Sequence, residues 1–419
     1  MVKVRPFKAL RPPKELAARV SCLPYDVMNS TEAAAMAGGD ARSLLNITRA
    51  EICCPQGTDI HSDAVYAKAK ENFDKARKEG WLVQDDVPCY YVYEEVMNGR
   101  SQTGIVAAAA CQDYDNGLIK KHELTRPDKE DDRMVLTRWL NANIEPVFLA
   151  YKSNTTIDKI VAEAKSFAPE YDFTSSDGVT HKLWVVSDPA KVKAIEETFK
   201  NEVKATYVAD GHHRTAAAAR IGKEFASKNP SHNGRENYNY FMAVIFPDDQ
   251  LKIMDYNRLV KDLNGMTDSQ FLAKLSTVME IQKVGKEVVT PSRLHEFSMY
   301  LSGEWYRLTA KEGTYNDSDP IGVLDVSVLT DNVLTPILGI EDMRRSSRID
   351  FVGGIRGLGE LKKRVDEGAV RVAFALYPVS MKQLTDIADT GNIMPPKTTW
   401  FEPKLRSGLF VKLVDNDVE

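Results

Sequence analysis

The chain has 419 residues, more than a single hydrophobic core usually organises, and its composition is that of an ordinary globular protein. Its formal net charge of -5 offers no general positive field for a phosphate backbone, so we expect no nucleic acid as partner. The five cysteines form no CxxC pair and are expected as reduced thiols. The sequence shows no signal-peptide pattern and no membrane-spanning apolar stretch, which predicts a cytoplasmic protein without membrane contact.

The first third of the chain mixes helices and strands. The prolines and basic residues of 5–13 predict an extended arm. A charged amphipathic helix is predicted at Asp63–Lys78, ending at Gly80. The apolar segments 90–93 and 104–108 predict two strands, with a hairpin turn at Asn98 and Gly99. We expect residues 1–145 to form an α+β region whose early loops supply substrate or metal contacts.

Strands and helices alternate from residue 146 onward, which predicts an α/β core at 146–262. Its predicted strands are 146–151, 182–186, 205–208, 240–246 and 251–259, and its predicted helices are 156–166, 190–200 and 215–228. A C-terminal α/β region packed on that core is predicted at 263–419. Its predicted helices are 269–279, 323–329, 357–366 and 380–388, with a strand at 370–376. The predicted fold class is therefore α/β, in the mixed α+β sense.

A polar loop at 210–214 joins a predicted strand to a predicted helix. It reads Asp210, Gly211, His212, His213 and Arg214. Free backbone N–H groups at a helix N-terminus favour an anion, and an arginine side chain can grip phosphate oxygens with two donors. Glycine lets the backbone approach a ligand closely. The alternative is that the aspartate only caps the helix and the histidines only pack.

Residues 207–214 resemble the phosphate-binding motif of the ParB and sulfiredoxin superfamily, in the Asp-Gly-His-His-Arg form found in free-serine kinases. Further stretches resemble one bacterial and archaeal family of that superfamily; they lie at 5–12, 24–27, 121–125, 257–260 and 394–404. The resemblance implies a nucleotide-binding core with elaborated N- and C-terminal regions. It also implies phosphoryl transfer from ATP or ADP, with Mg²⁺, to free L-serine, which gives O-phospho-L-serine.

Such a reaction needs a base near the hydroxyl group and cations on the phosphates. Glu123 and His122 are the first candidates for catalysis, although a solvated charged loop is the alternative for their stretch. Asp26 and Asp210 are further catalytic candidates. The predicted phosphate and nucleotide ligands are Asp210, Gly211, His212, His213, Arg214, Arg258 and Lys397. For Arg258 a surface ion pair is the alternative.

Two alternative functions would also depend on phosphate binding by the 210–214 loop. One is a nucleotide-binding switch or partition-like protein, and the other is a nucleotidase or phosphohydrolase with water as acceptor. The expected partners are a nucleotide and a small free amino acid, serine first. The sequence leaves open the phosphoryl donor, the general base, the metal ligands and the oligomeric state, including a homodimer.

Overall fold

The computed structural model describes residues 1–418, and the helices and strands are labelled in chain order. The helices are α1 (Ala17–Val20), α2 (Ser30–Ala37), α3 (Leu45–Thr48), α4 (Asp63–Lys78), α5 (Cys111–Asp115), α6 (Pro127–Leu140), α7 (Thr155–Lys165), α8 (Pro189–Glu202), α9 (His212–Lys228), α10 (Asp268–Leu275), α11 (Asp325–Leu329), α12 (Gly357–Asp366) and α13 (Met381–Asp389). The first strands are β1 (Val4–Arg5), β2 (Leu10–Arg11), β3 (Val83–Gln84), β4 (Tyr90–Met97), β5 (Arg100–Ala110), β6 (Ile119–Lys120), β7 (Ala142–Asn143), β8 (Val147–Tyr151), β9 (Tyr171–Thr174), β10 (Thr180–Val186), β11 (Thr206–Asp210) and β12 (Tyr240–Pro247). The remaining strands are β13 (Ile253–Met254), β14 (Tyr256–Val260), β15 (Met279–Gly285), β16 (Glu296–Leu301), β17 (Glu304–Ala310), β18 (Ile349–Gly353), β19 (Val372–Ala375), β20 (Trp400–Phe401) and β21 (Lys412–Leu413).

The chain forms two compact units. Unit 1 comprises Met1–Leu251 and the C-terminal segment that begins at Pro403, and unit 2 comprises Lys252–Glu402. These boundaries differ from the three regions expected from the sequence. Strands of the first third and of the middle third pair in one sheet, so residues 1–145 do not stand apart from 146–251. The fold is α/β in class, as predicted.

A nine-stranded sheet forms the centre of unit 1, in the order β6-β11-β8-β12-β5-β4-β10-β9, with β1 also paired to β5. Most neighbours are antiparallel, but β11 pairs with β6 and β12 pairs with β8 in parallel. Strand β12 is buried along its whole length, as expected for a strand covered on both faces. One core cluster joins this sheet to α7 and α8, and a second forms around α3, α4 and α6.

Two local predictions in unit 1 are confirmed. Helix α4 has the predicted bounds, because its buried residues recur at helical spacing on one face. The β4–β5 hairpin turns at Asn98 and Gly99, which both adopt positive φ, at 52° and 77°. That backbone suits the tight turn that matches the twist of a hairpin. Helix α6 was not predicted as a complete helix, since its first half consists of charged residues.

Unit 2 is built on an antiparallel six-stranded sheet in the order β15-β17-β16-β19-β14-β18. The prediction of a helix over 269–279 is wrong at its C-terminal end, because α10 ends at Leu275 and β15 begins at Met279. The strands β15, β16 and β17 were not predicted. Helix α12 has the predicted bounds. Within residues 1–418, no helix is long and apolar enough to cross a membrane.

Candidate active site at the start of helix α9

The parallel pairing of β6 with β11 brings two polar segments together. Thr206 lies opposite Ile119, and Tyr207 lies opposite Lys120. Because parallel strands end at the same edge of a sheet, the residues that follow β6 lie beside the residues that end β11. His122 and Glu123 therefore meet the 210–214 loop, although they lie far from it in sequence.

The 210–214 loop leaves β11 through an irregularity in the sheet. The register against β8 shifts between Val208 and Asp210, as in a β-bulge, a device that redirects side chains near functional sites. Gly211 follows with φ of 92° and forms the N-cap of α9, and its N–H donates to Oδ1 of Asp210 at 2.9 Å. The first turn of α9 then presents backbone N–H groups that have no partner inside the helix. The local geometry is that of an anion site.

The side chain of Arg214 turns back towards Gly211, so that its guanidinium group packs against the start of α9. Its Nη1 donates to the carbonyl oxygen of Pro146 at 2.5 Å, and its Nε is buried without a hydrogen-bond partner. A Cβ atom added at Gly211 would lie 3.1 Å from the guanidinium carbon, so a larger residue would require the guanidinium group to shift. Burial opposes the charge, but Asp26, Asp210 and nearby groups outweigh it and raise the pKa of Arg214. The side chain is a buried, charged donor.

Two neutral histidines line the loop. The rings of His122 and His212 have centroids 4.6 Å apart, at 89°. Burial lowers the pKa of His122 to about 4, against the charge of Asp210 and a hydrogen bond with the Val208 backbone. Burial, and then the neighbouring His122, also lower the pKa of His212. Nε2 of His212 has no hydrogen-bond partner, and its Nδ1 lies 3.7 Å from Oε2 of Glu123, whose side chain is 39% exposed.

Asp210 is paired with a lysine from the C-terminal segment of unit 1. Nζ of Lys404 lies 3.2 Å from Oδ2 of Asp210, and only 10% of the lysine side chain is exposed. Burial favours the neutral acid, but the charges of Lys404 and Arg214 overcome it and lower the pKa of Asp210. Asp210 is therefore ionised and held in an ion pair, a state that suits a ligand anchor better than a proton acceptor.

Asp26 and His213 lie at the open side of the site. Asp26 is exposed on a single turn of 3-10 helix at Tyr25–Val27, and its charge acts on both Arg214 and His213. Nε2 of His213 accepts the backbone N–H of Arg126 at 3.1 Å. Burial lowers the pKa of His213, with Asp26 acting in the opposite direction. Both predicted residues thus belong to the same cluster as the loop.

Three further charged residues of this cluster were not among the predicted site residues. Lys404 lies in the stretch 394–404, which entered the sequence-based prediction only through the family resemblance. Arg133 lies on the buried face of α6, in helical register with Leu136 and Leu140, and that register was the available signal. Glu145 is buried between Ile144 and Pro146, and an acidic residue inside an apolar run was the signal there.

Two predicted phosphate ligands, Arg258 and Lys397, belong to unit 2. Arg258 is 1% exposed and donates to the carbonyl oxygens of Tyr256 and Pro396. Burial lowers its pKa to about 10, and it does not form the surface ion pair considered as its alternative. Lys397 is exposed, and its Nζ lies 5.6 Å from the centre of the Tyr256 ring. Their roles as phosphate ligands stay predictions.

The family of the chain follows from its sequence. The profile of the family DUF1015, described as "Protein of unknown function", matches residues 4–327. The chain belongs to this family. The match includes the whole 210–214 loop together with Asp26, His122, Glu123, Arg133 and Glu145. No curated protein matches the chain.

Solved structures with some similarity to this DUF1015 protein include three of different description. A free serine kinase in complex with AMP is 11% identical, with 73% of this chain and 92% of that chain covered and a TM-score of 0.34. SbnI from Staphylococcus aureus, with a C-terminal truncation, is 10% identical, covers 75% and 90%, and has a TM-score of 0.41. A conserved hypothetical protein from Pyrococcus furiosus is 14% identical, covers 75% and 97%, and has a TM-score of 0.34. With identities and TM-scores this low, the similarities carry no argument about function. The predicted relation to the ParB and sulfiredoxin superfamily stays a prediction.

Proposed function

We propose that unit 1 binds the phosphate groups of a nucleotide at the start of α9 and transfers a phosphoryl group from ATP or ADP to the hydroxyl group of free L-serine. One observation carries the phosphate site. The first turn of α9 offers backbone N–H groups beside two buried side chains, Arg214 and His212, whose Nε and Nε2 atoms have no hydrogen-bond partner. Buried polar atoms without partners are costly and rare, and an anion in this turn would accept from Nε of Arg214, and from Nε2 of His212 in the tautomer that carries its proton there.

The chemistry assigned to the site comes from the resemblance to free-serine kinases together with the surrounding side chains. In the transfer, the serine oxygen forms a bond to the terminal phosphorus while the bond from that phosphorus to the nucleotide oxygen breaks. The hydroxyl proton passes to a base. We assign that role to Glu123, because Asp210 is held by Lys404 and His122 is buried, whereas the Glu123 side chain is 39% exposed beside His212. Asp26 is the second candidate.

Arg214 and the neutral His212 would hold the charge that spreads over the phosphoryl oxygens in the transition state. Mg²⁺ would neutralise part of the charge of the nucleotide phosphates. Residues 1–418 contain no ready cluster of three or more metal-binding side chains. In such reactions, however, Mg²⁺ takes only one or two carboxylates besides phosphate oxygens and water, and Asp26 would supply such a carboxylate.

The test is to incubate the full chain with Mg²⁺, free L-serine and either ATP or ADP, and to follow O-phosphoserine by mass spectrometry. Arg214→Gln and Glu123→Gln are compared with Arg220→Gln, which removes an exposed arginine from the same helix. We expect wild type and Arg220→Gln to make phosphoserine at equal rates. Loss of an oriented transition-state donor costs on the order of 100-fold in rate, so Arg214→Gln should be nearly inactive.

Nucleotide binding, measured by calorimetry, separates the outcomes. Glu123→Gln should bind ATP or ADP as wild type does while its turnover falls, because the base acts on the acceptor. Release of phosphate without phosphoserine would indicate a phosphohydrolase. Nucleotide binding without any turnover would favour a nucleotide-dependent switch. Either result would contradict the proposed kinase.

A further inference from the structure

A small cavity lies between α6, α9 and strands β7, β8 and β12 of unit 1, next to the 210–214 loop. It is lined by the charged side chains of Arg133, Glu145 and Arg214, and its apolar wall includes Leu136, Ala217 and Phe241. Arg214 borders the cavity, and its guanidinium group also packs against Gly211 of the 210–214 loop. The space holds about three water molecules, which is close to the volume of the smallest amino acids. A ligand in this cavity would therefore lie beside the proposed phosphate site.

The positive side of the cavity is Arg133. Its Nη2 donates to Oδ2 of Asp132 at 2.5 Å, and its guanidinium carbon lies 3.7 Å from the centre of the Tyr25 ring. Its Nη1 is buried and has no hydrogen-bond partner, with Oε2 of Glu145 at 3.6 Å. Asp132 and Tyr25 thus hold the guanidinium group in place and leave one of its donors available at the cavity.

The negative side of the cavity is Glu145, whose side chain is only 4% exposed. Its Oε1 accepts the backbone N–H of Tyr25 at 2.9 Å. Burial raises the pKa of Glu145, and the charges of Arg214 and Arg133 act against that rise. Nη1 of Arg133 lies 3.6 Å from Oε2 of Glu145, which is too far for a hydrogen bond. Oε2 can therefore still accept a hydrogen bond from a ligand.

We propose that this cavity is the acceptor subsite and that it selects a small zwitterionic amino acid. The ligand carboxylate binds to Nη1 of Arg133, and the ligand ammonium group binds to Oε2 of Glu145. The apolar wall limits the size of the side chain. The assignment of the amino acid as phosphoryl acceptor rests on the proposed function, whereas its binding in the cavity does not require turnover.

The test compares three ligands by titration calorimetry on the full chain, with and without ADP. L-serine carries both charged groups, ethanolamine lacks the carboxylate, and 3-hydroxypropionate lacks the ammonium group. In wild type we expect each fragment to bind about 100-fold more weakly than serine, because each leaves one buried charge without its partner. Equal affinity for serine and either fragment would overturn the proposal, and this comparison needs no variant.

Two variants assign the two charges. Glu145→Gln should reduce the preference for serine over 3-hydroxypropionate about tenfold or more, and Arg133→Met should do the same for serine over ethanolamine. Arg138→Met removes an exposed arginine from the same helix, α6, and should leave both preferences unchanged. Circular dichroism identifies any variant that fails to fold, and the three-ligand comparison on wild type then decides.

Failure of the inference and failure of the proposed function give different results. If wild type binds serine with the expected preferences but makes no phosphoserine, the kinase assignment is wrong and the amino-acid cavity stands. If wild type makes phosphoserine while both variants keep wild-type preferences, the kinase stands and the cavity is not the acceptor subsite. No binding of L-serine in the presence or absence of ADP would also overturn the inference.

Discussion

The rings of His122 and His212 meet edge to face, with centroids 4.6 Å apart, where the end of β6 lies beside the start of α9. Both side chains are buried, and burial lowers the pKa of each. A proton on either ring would place a charge next to the other ring, in a site that already holds Arg214 and Lys404. The pair is therefore neutral at pH 7 and adds no positive charge beside Arg214 and Lys404.

The first prediction concerns the acid stability of unit 1. The folded state keeps His122 neutral down to about pH 4, whereas the unfolded chain takes up the proton near pH 6.5, the ordinary pKa of a histidine. The unfolded state thus binds more protons in this range, so this group's contribution to stability is complete above pH 6.5 and is lost as the pH falls towards 4. In His122→Gln, the loss of unfolding free energy between pH 7 and pH 4.5 should be smaller by about 2 kcal/mol.

Urea denaturation of wild type and His122→Gln at several pH values measures this change. His232→Gln serves as a control, because His232 lies on the surface after α9, outside the site. The control keeps His122 and should therefore keep the loss of stability that His122 causes between pH 7 and pH 4.5. If His122→Gln lost stability with falling pH as steeply as wild type, the buried neutral state of His122 would be wrong.

The second prediction concerns the ion pair of Asp210 and Lys404. Lys404→Met leaves the carboxylate of Asp210 in a largely buried place without its main partner, and removal of one member of such a pair costs on the order of 3 kcal/mol. Asp210→Asn in the Lys404→Met background should recover part of that loss. Guanidinium denaturation of the single and double variants gives the coupling energy. A coupling energy near zero would mean that the pair behaves as an ordinary surface ion pair.

The sequence predicts the part of this site that is contiguous along the chain, but not the contacts between segments that are far apart in sequence. The 210–214 loop is local, and strand, glycine and helix follow one another, so its position at the start of a helix was predictable. The contact with Glu123 depends on the parallel pairing of β6 with β11, and β6 has only Ile119–Lys120, too short to give a strand pattern. Lys404 reaches Asp210 because the chain returns to unit 1 at Pro403, after the whole of unit 2.

Fold prediction failed where the pattern of apolar residues was ambiguous. Strand β16 is buried at every position, including the polar Glu296 and Ser298, and its sequence alternates over only its first four residues, which is too short a pattern to indicate a strand. Strand β15 has mostly exposed side chains and begins only a few residues after α10. Its first residue, Met279, was therefore predicted as the last residue of the helix. The predicted fold class did not depend on these strands. The sheet of unit 2 could not be predicted without them, because β15, β16 and β17 are three of its six strands.

The third prediction concerns Gly211. Its φ of 92° is unfavourable for any residue with a Cβ atom, and that atom would lie 3.1 Å from the guanidinium group of Arg214. Gly211→Ala should therefore lower the free energy of unfolding by about 1–3 kcal/mol and displace Arg214. Binding of ADP, measured by calorimetry, should weaken more than the loss of stability alone explains.

Gly368→Ala is a matched control for Gly211→Ala. Gly368 has φ of 75° after α12 in unit 2, and nothing lies within 4 Å of its added Cβ atom. The Gly368→Ala variant should lose a similar amount of unfolding free energy and should bind ADP as wild type does. Unchanged ADP binding in Gly211→Ala would argue against a phosphate site at the start of α9.

The fourth prediction concerns a buried acid in unit 2. Oδ1 of Asp325 accepts the backbone N–H of His295 at 2.8 Å, and only 3% of the Asp325 side chain is exposed. Burial raises the pKa of Asp325 from 3.8 to about 7, and the backbone hydrogen bonds from His295 and Tyr377 only partly oppose this rise. The folded state therefore binds more protons than the unfolded state between about pH 4 and pH 7.

Because the folded state holds the extra proton, the contribution of Asp325 to stability is complete at low pH and is lost as the pH rises through 7. Between pH 5 and pH 8 this loss amounts to about 2 kcal/mol in the unfolding free energy of wild type. Asp325→Asn cannot ionise and should lack this loss, so its stability relative to wild type should improve with rising pH. Asp331→Asn removes an exposed aspartate nearby and should follow wild type. A difference between Asp325→Asn and wild type that stays constant from pH 5 to pH 8 in urea denaturation would show that Asp325 is ionised throughout this range.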